Sequence, residues 1–332
     1  SLAGTEAPLL SKIDSRFEYA DGQVFFGLKG SLFAQRFDEQ TLTLAGEPFR
    51  VAENLGLSFG DLNSNAFSVS RQGNVVYWSG SFYPVSQLTW FSRAGQRLST
   101  LGEPGEYLGF AVAPNFQQVV LERRDPKVNE VNLWLVEATT NVGSKFSLGF
   151  DDHGPWSAGT PVWSPAGDRV LFATFPGFAA QSLRGGEPEK LFDGFGWLSD
   201  LSPDAQYALI LTVNPETGED LWLLPLKGDK KLKPFVVTKY NEGGGRFSPD
   251  GRWVAYVSDE SGRNEVYVQS FPDPGRAVRV SRDGGVWAEW RSDGKELYYL
   301  APDRKLLMAA AVEGGGSHFQ VSSTQSLLSV NI

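Results

Sequence analysis

The sequence predicts an all-β fold, a β-propeller of four-stranded antiparallel blades. Three observations predict it: a turn motif recurring about every 45 residues, strands between the turns that are apolar on both faces, and the lack of any sustained helical period. Length agrees, since 332 residues exceed the roughly 250–300 at which one core stops growing, leaving two domains or a repeat array. Composition agrees as well. With 13% aromatic residues, 37 Gly, 19 Pro and one Met, the chain favours short strands and tight turns. Its 41% hydrophobic content is ample for a core.

The clearest unit starts at Arg246, RFSPDGRWVAYVSDESGRNEVYVQSFP, followed by AVRVS. It reads as a short strand, a Ser-Pro-Asp-Gly turn, a second strand, a Gly-containing turn, a third strand and a final one. Proline presets φ, Asp tolerates the third turn position and Gly takes a positive φ at the fourth. The same punctuation ends at Gly22, Gly73, Phe116, Gly167, Ala205, Gly251 and Gly294, at intervals of 51, 43, 51, 38, 46 and 43. Seven repeats are counted, with six or eight blades as alternatives, over about 15–60, 61–104, 105–150, 151–193, 194–238, 239–282 and 283–330 of a single domain 15–330. At Phe116 and Ala205 the glycine is missing, so a different turn geometry is expected there.

Second strands follow the turns as QVFFGL, NVVYWS, QQVVLER, DRVLFAT, QYALILT, RWVAYVS and KELYYLA. Runs such as Val254-Ala255-Tyr256 need a neighbouring sheet on each side, which radial packing supplies. The last repeat, with Leu297, Tyr298, Tyr299, Leu306 and Leu307, is as apolar as the others, so a closed ring is favoured over a capped solenoid.

These residues carry a resemblance. SPDGRWVAYVSDESGRNEVYVQSFP and WRSDGKELYYL, together with SLFAQRFD, QLTWFSRAG, LGEPGEYLGFAVAP, PVWSPAGDRVLF and DLWLLPLKGDKK, resemble the TolB-type, WD-repeat-like propeller that bacterial transmembrane serine/threonine protein kinases carry outside the membrane. The resemblance runs from about Gln23 to Val312. It implies a ligand- or protein-binding sensor module in an extracytoplasmic compartment, preceded in the parent protein by a kinase domain and one membrane span. The turn motif is shared by propellers of prolyl-oligopeptidase-type peptidases and by TolB scaffolds, so a gating propeller and an envelope scaffold are the alternatives. The chain opens on Ser1, an upstream targeting segment is expected to have been cut away, and residues 1–14 read as the remnant of an upstream repeat.

A net charge of −9 excludes ordinary nucleic-acid binding, which needs a basic stripe. The basic run Lys227, Lys230, Lys231 and Lys233 reads as a solvated loop. Zero cysteines exclude disulfides and thiolate chemistry, and no apolar run reaches the roughly 18–20 residues of a membrane span.

Catalytic motifs are equally scarce. There is no Gly-x-Ser-x-Gly elbow, no kinase HRD or DFG, and GFGW from Gly194 lacks the third glycine of a dinucleotide loop. Only His153 and His318 could act as a histidine base, one in the acidic FDDHGPW loop and the other in GGGSHF. The SDESGRNE segment lacks the alternating oxygen ligands of a calcium loop and reads as a hairpin turn. No enzyme activity, cofactor or metal is expected of this chain, and a monomer is.

If the Ser-Pro turns join first to second strands on one face, the connections into each first strand ring the channel mouth on the other. They hold the candidate ligand residues: Asp61, Asn63, Glu106, Tyr107, His153, Trp156, Trp197, Asp200, Tyr240, Asn241, Glu242, Arg246, Trp287 and Glu289. Aromatic faces mixed with carboxylates and one arginine suit a protein, a peptide or a small polar ligand. Tryptophans inside apolar strands, such as Trp134, Trp222 and Trp253, are expected to pack between blades.

Overall fold

A computed structural model describes residues 17–28, 31–53, 55, 67–70, 73–77, 85–125, 130–146, 159–174, 177–315 and 318–330. Every regular element among them is a strand. Five sheets have four antiparallel strands in chain order. The first holds Phe17–Ala20, Gln23–Leu28, Ser31–Asp38 and Thr43–Glu53. The others span Gly159–Phe192, Trp197–Val236, Glu242–Arg279 and Val286–Ser329. A two-stranded sheet pairs Phe67–Val69 with Val75–Tyr77. Between them the long strand Arg97–Val112 belongs to two repeats at once. Its first half pairs with Ser86–Phe91 and its second with Gln118–Asp125.

All seven turn positions carry a left-handed residue, with φ between 55° and 79°. From Gly73 onward, each of these residues donates its N–H to the carbonyl three residues back, at 2.8–2.9 Å. The serine that opens the Ser-Pro turns has a separate task. Ser164, Ser202 and Ser248 are buried, and each hydroxyl accepts two backbone N–H groups, four and five residues on, at 3.2 and 3.0 Å. Ser202 and Ser248 also donate to Asp204 and Asp250 at 2.6 Å, which explains Asp in the third position.

The expectation of a different geometry at Phe116 and Ala205 is corrected. Their φ values are 58° and 55°, and they make the same hydrogen bonds, to the carbonyls of Ala113 and Ser202 at 2.8 Å. The paired strands impose the turn on whatever residue stands there. An L-residue then carries a cost of about 1–2 kcal/mol, small beside an intact hairpin.

Packing alternates along each inner strand. Val254 and Tyr256 face the preceding sheet, in a cluster with Leu209, Leu221 and Phe247. Ala255 faces the following one, among Val266, Leu297 and Ala310. Comparable clusters join the other neighbouring sheets: Val120, Leu133, Val170 and Phe172 form one, and Leu171, Ile210 and Leu224 another. The doubly apolar strands of the sequence are thus covered on both sides, except in the second repeat, where Val76 and Tyr77 are exposed.

The chain also returns on itself. Arg93, in the hairpin of the second repeat, grips both carboxylate oxygens of Glu296 in the last repeat at 2.6 Å and donates to the Tyr298 hydroxyl at 2.9 Å. Arg291 donates to Glu296 at 2.7 Å and also pairs with Asp293. The two arginines hold the Glu296 carboxyl down, at about 2.

Replacing Gly251 by valine, at φ 67°, is expected to cost on the order of 1–3 kcal/mol. The space is open, with Pro203 of the preceding turn 3.4 Å from an added Cβ, so the cost is backbone strain. Ala205→Gly is expected to act in the opposite direction, raising stability by about 0.5–1 kcal/mol. Urea denaturation of both variants checks this; equal midpoints for wild type and Gly251→Val would refute the turn assignment.

Candidate functional site

The first strands of the third to seventh repeats contact one another in succession, which puts them innermost. Each is interrupted by a register shift of the bulge type, between Tyr107 and Gly109, Gly159 and Val162, Leu198 and Asp200, Gly243 and Arg246, and Val286 and Glu289. A bulge turns a strand locally and re-aims the side chains beside it. In three of the five a bulge residue has positive φ: Thr160 at 45°, Gly244 at 63° and Trp287 at 54°. Glycine takes this conformation freely; a β-branched threonine and a tryptophan are strained in it.

Immediately after the bulge come Asp200, Arg246 and Glu289. Each stands five residues before its left-handed turn residue, so the three occupy equivalent places in adjacent sheets. Arg246 donates through Nε to Glu289 at 2.6 Å and through Nη1 to the Ser199 carbonyl at 2.7 Å. Asp200 accepts the N–H of Phe247 at 2.7 Å and of Leu201 at 2.8 Å. Enclosure raises the Asp200 carboxyl to about 6, against the opposing pull of Arg246 and of these N–H groups. For Arg246, burial works against the charge, and the Glu289 and Asp200 carboxylates more than restore it. The result is an interlocked floor across three sheets.

Above this floor, on the same strands, stand Trp197 and Trp287, 50% and 51% exposed. Phe195 extends the apolar rim at 73%. The guanidinium of Arg304 lies 4.5 Å from the centre of the Trp287 ring, and the Lys239 ammonium 5.2 Å from that of Tyr240.

Other sequence candidates serve the scaffold. Glu242 is buried, accepting the Thr238 hydroxyl at 2.6 Å and the Thr238 N–H at 3.3 Å; burial pushes its carboxyl up. Asn241 ties its loop to Asp259, donating N–H and Nδ2 at 3.0 and 2.7 Å. Tyr240 donates its N–H to Thr238 at 3.1 Å. Glu106 lies buried beside Arg124 at 3.7 Å, and the Tyr107 hydroxyl donates to the Glu103 carbonyl. Asp61, Asn63, His153 and Trp156 lie outside the described residues.

Sequence reasoning missed Glu122, whose half-buried carboxyl is raised by desolvation to about 7 and accepts the Thr160 N–H at 3.1 Å. It also missed the inward use of Trp163 and Trp290, which donate Nε1 to the Ala111 and Arg246 carbonyls of the preceding repeat at 2.9 and 3.1 Å. The shared offset from the turn was the available signal for the floor residues; for Arg304 there was none.

No family model matches the chain. Among solved structures it is similar to a TolB described as putative from Agrobacterium tumefaciens, at 13% identity and TM-score 0.55, over 70% of this chain and 84% of that one. Its fold is that of a TolB-like β-propeller. The propeller is also similar to a chain of a nidogen/laminin complex, at 11% identity and TM-score 0.50, over 87% and 89% of the two chains. An oligogalacturonate lyase from Vibrio parahaemolyticus matches at 14% identity and TM-score 0.50, over 71% and 69%. A fold shared by an enzyme and by a member of a protein complex leaves function to the site.

The raised Asp200 and Glu122 carboxyls give the propeller a pH signature. A native carboxyl with a raised pKa holds its proton longer than the unfolded one, so stability falls as pH rises from about 4 to 6 or 7. Asp200→Asn is expected to flatten this fall by on the order of 1–3 kcal/mol between pH 4 and pH 7. Denaturant titrations of both proteins across that range check it; an unchanged slope would show that Asp200 is ordinarily solvated.

Proposed function

We propose that this propeller is a non-catalytic binding module, the extracytoplasmic sensor part of a bacterial receptor-type serine/threonine kinase. Its binding place is the rim at which the first strands begin. One observation carries the reading: Trp197 and Trp287 stand half exposed above a floor whose charged groups are already paired with one another. Large aromatic faces left open to water beside a rigid polar floor suit recognition of a peptide or polar ligand. Among the described residues the floor offers no histidine, and both oxygens of Asp200 are engaged by backbone N–H groups, an arrangement that favours holding shape over moving protons.

Two further points support this reading. The nidogen/laminin neighbour is a chain within a protein–protein complex. The kinase link draws on the ordered series of repeat segments, from SLFAQRFD to WRSDGKELYYL. Its corollary is an extracytoplasmic location; among the described residues no helix is long and apolar enough to cross a membrane.

Trp197→Ala combined with Trp287→Ala is expected to leave the fold intact, since both rings are half exposed, and to weaken binding at least about tenfold. A calorimetric screen of envelope peptides and saccharides against both proteins tests it. A hit bound equally well by the folded double variant would move the site to the opposite face. For the kinase link, the coding sequence before Ser1 is expected to specify a kinase domain and one apolar span of roughly 20 residues. A hydrolase domain encoded after Ile332 would overturn it.

A further inference from the structure

The two faces of the last three repeats differ in charge. On the rim face lie the connections into the first strands, the early parts of those strands and the turns between second and third strands, within 193–200, 214–220, 237–246, 258–265, 281–289 and 301–305. These segments hold twelve Asp and Glu, of which Asp220, Glu242 and Glu265 are buried, against six Lys and Arg. The opposite face, formed by 202–206, 226–232, 248–252, 271–277 and 291–295, holds five against seven. Over these three repeats the charge is therefore unevenly spread, and the rim is the acidic side. Glu216, Glu219 and Asp283 stand there exposed.

The rim also shows what its rings attract. Both aromatic side chains with a described cation over them on this face, Trp287 under Arg304 and Tyr240 under Lys239, use basic groups of the chain itself. Trp197, half exposed, has no such cation among the described contacts. Aromatic faces surrounded by carboxylates attract guanidinium and ammonium groups twice over, through the ring quadrupole and through the field of the acids.

We propose that the rim docks a basic polypeptide segment, whose arginine and lysine side chains lie across Trp197 and Trp287 while the surrounding carboxylates draw it in. This rests on the rim being the binding face and adds the chemistry of the partner. Charge complementarity of this kind sets encounter rate and orientation, and it weakens with salt.

The test uses the whole chain and a fluorescein-labelled octapeptide, Arg-Gly-Arg-Leu-Gly-Arg-Gly-Arg, beside its counterpart with Glu for every Arg, read by anisotropy. Wild type is expected to bind the arginine peptide at least about tenfold more tightly than the glutamate peptide, and less tightly as salt rises. Reversing the rim acids, Glu216→Lys, Glu219→Lys and Asp283→Lys, is expected to weaken binding about tenfold or more. The same charge change on the opposite face, Asp229→Lys and Asp273→Lys with Glu187→Lys in the turn between the third and fourth strands of the fourth repeat, is expected to weaken it less than about threefold. Equal losses in the two triples, or no preference for the arginine peptide, would overturn the proposal. Trp197→Ala with Trp287→Ala separates the two readings. If a neutral or acidic ligand loses affinity in that variant while the arginine peptide never binds, the rim is the site and the basic partner is wrong. If the arginine peptide binds both the tryptophan variant and the rim triple as it binds wild type, both readings fall. Thermal melts confirm that each variant is folded.

Discussion

A four-stranded sheet whose middle strands are apolar on both sides has to be covered twice, and every larger feature of this molecule follows from that. Val254 and Tyr256 are covered by the sheet before and Ala255 by the sheet after, so no repeat can be removed without baring two neighbours. Full burial stabilises a side chain such as that of Val254 by about 1.5–3 kcal/mol. Because the sheets must stack face to face, their first strands converge, and whatever those strands carry is brought together at the centre.

That convergence is what makes the site. Asp200, Arg246 and Glu289 are 46 and 43 residues apart, the spacing of the turns that follow them, and so they meet as neighbours on three strands. The bulge before each of them matters as much as the spacing. It breaks the alternation of the strand and lets Arg246 reach across to Ser199 on one side and Glu289 on the other. Trp287 gains its exposure in the same way, from a backbone conformation that a tryptophan rarely adopts.

Much of the scaffold is legible in the chain because its signals are local. Ser-Pro-Asp-Gly announces a turn through chemistry contained in the tetrapeptide, and the strands beside it announce two-sided burial. Where the turn lacks glycine the local rule misleads: Phe116 and Ala205 follow the strands that flank them, not their own preference. The site is less legible for the opposite reason. Gly243-Gly244-Gly245 looks like a loop and is an innermost strand, and Thr160 gives no hint of positive φ. Glu242 looks like a surface acid beside Asn241 yet is sealed under Thr238, because only the packed neighbours decide which side of the loop faces inward. The pairing of Arg246 with Glu289 becomes readable once residues are compared by their distance from the turn.

The grip of Arg93 on Glu296 has an electrostatic consequence. Most contacts between neighbouring sheets are apolar, whereas this seam, like the Arg246–Glu289 pair, is held by charge, with Arg291 and Tyr298 sharing the load. The Glu296 carboxyl, held down at about 2 by Arg93, Tyr298 and Arg291, stays charged in mild acid. Salt weakens the seam. The contact that brings the second repeat to the last is therefore one that rising salt weakens, while the apolar stacking of the sheets between them does not share that weakness.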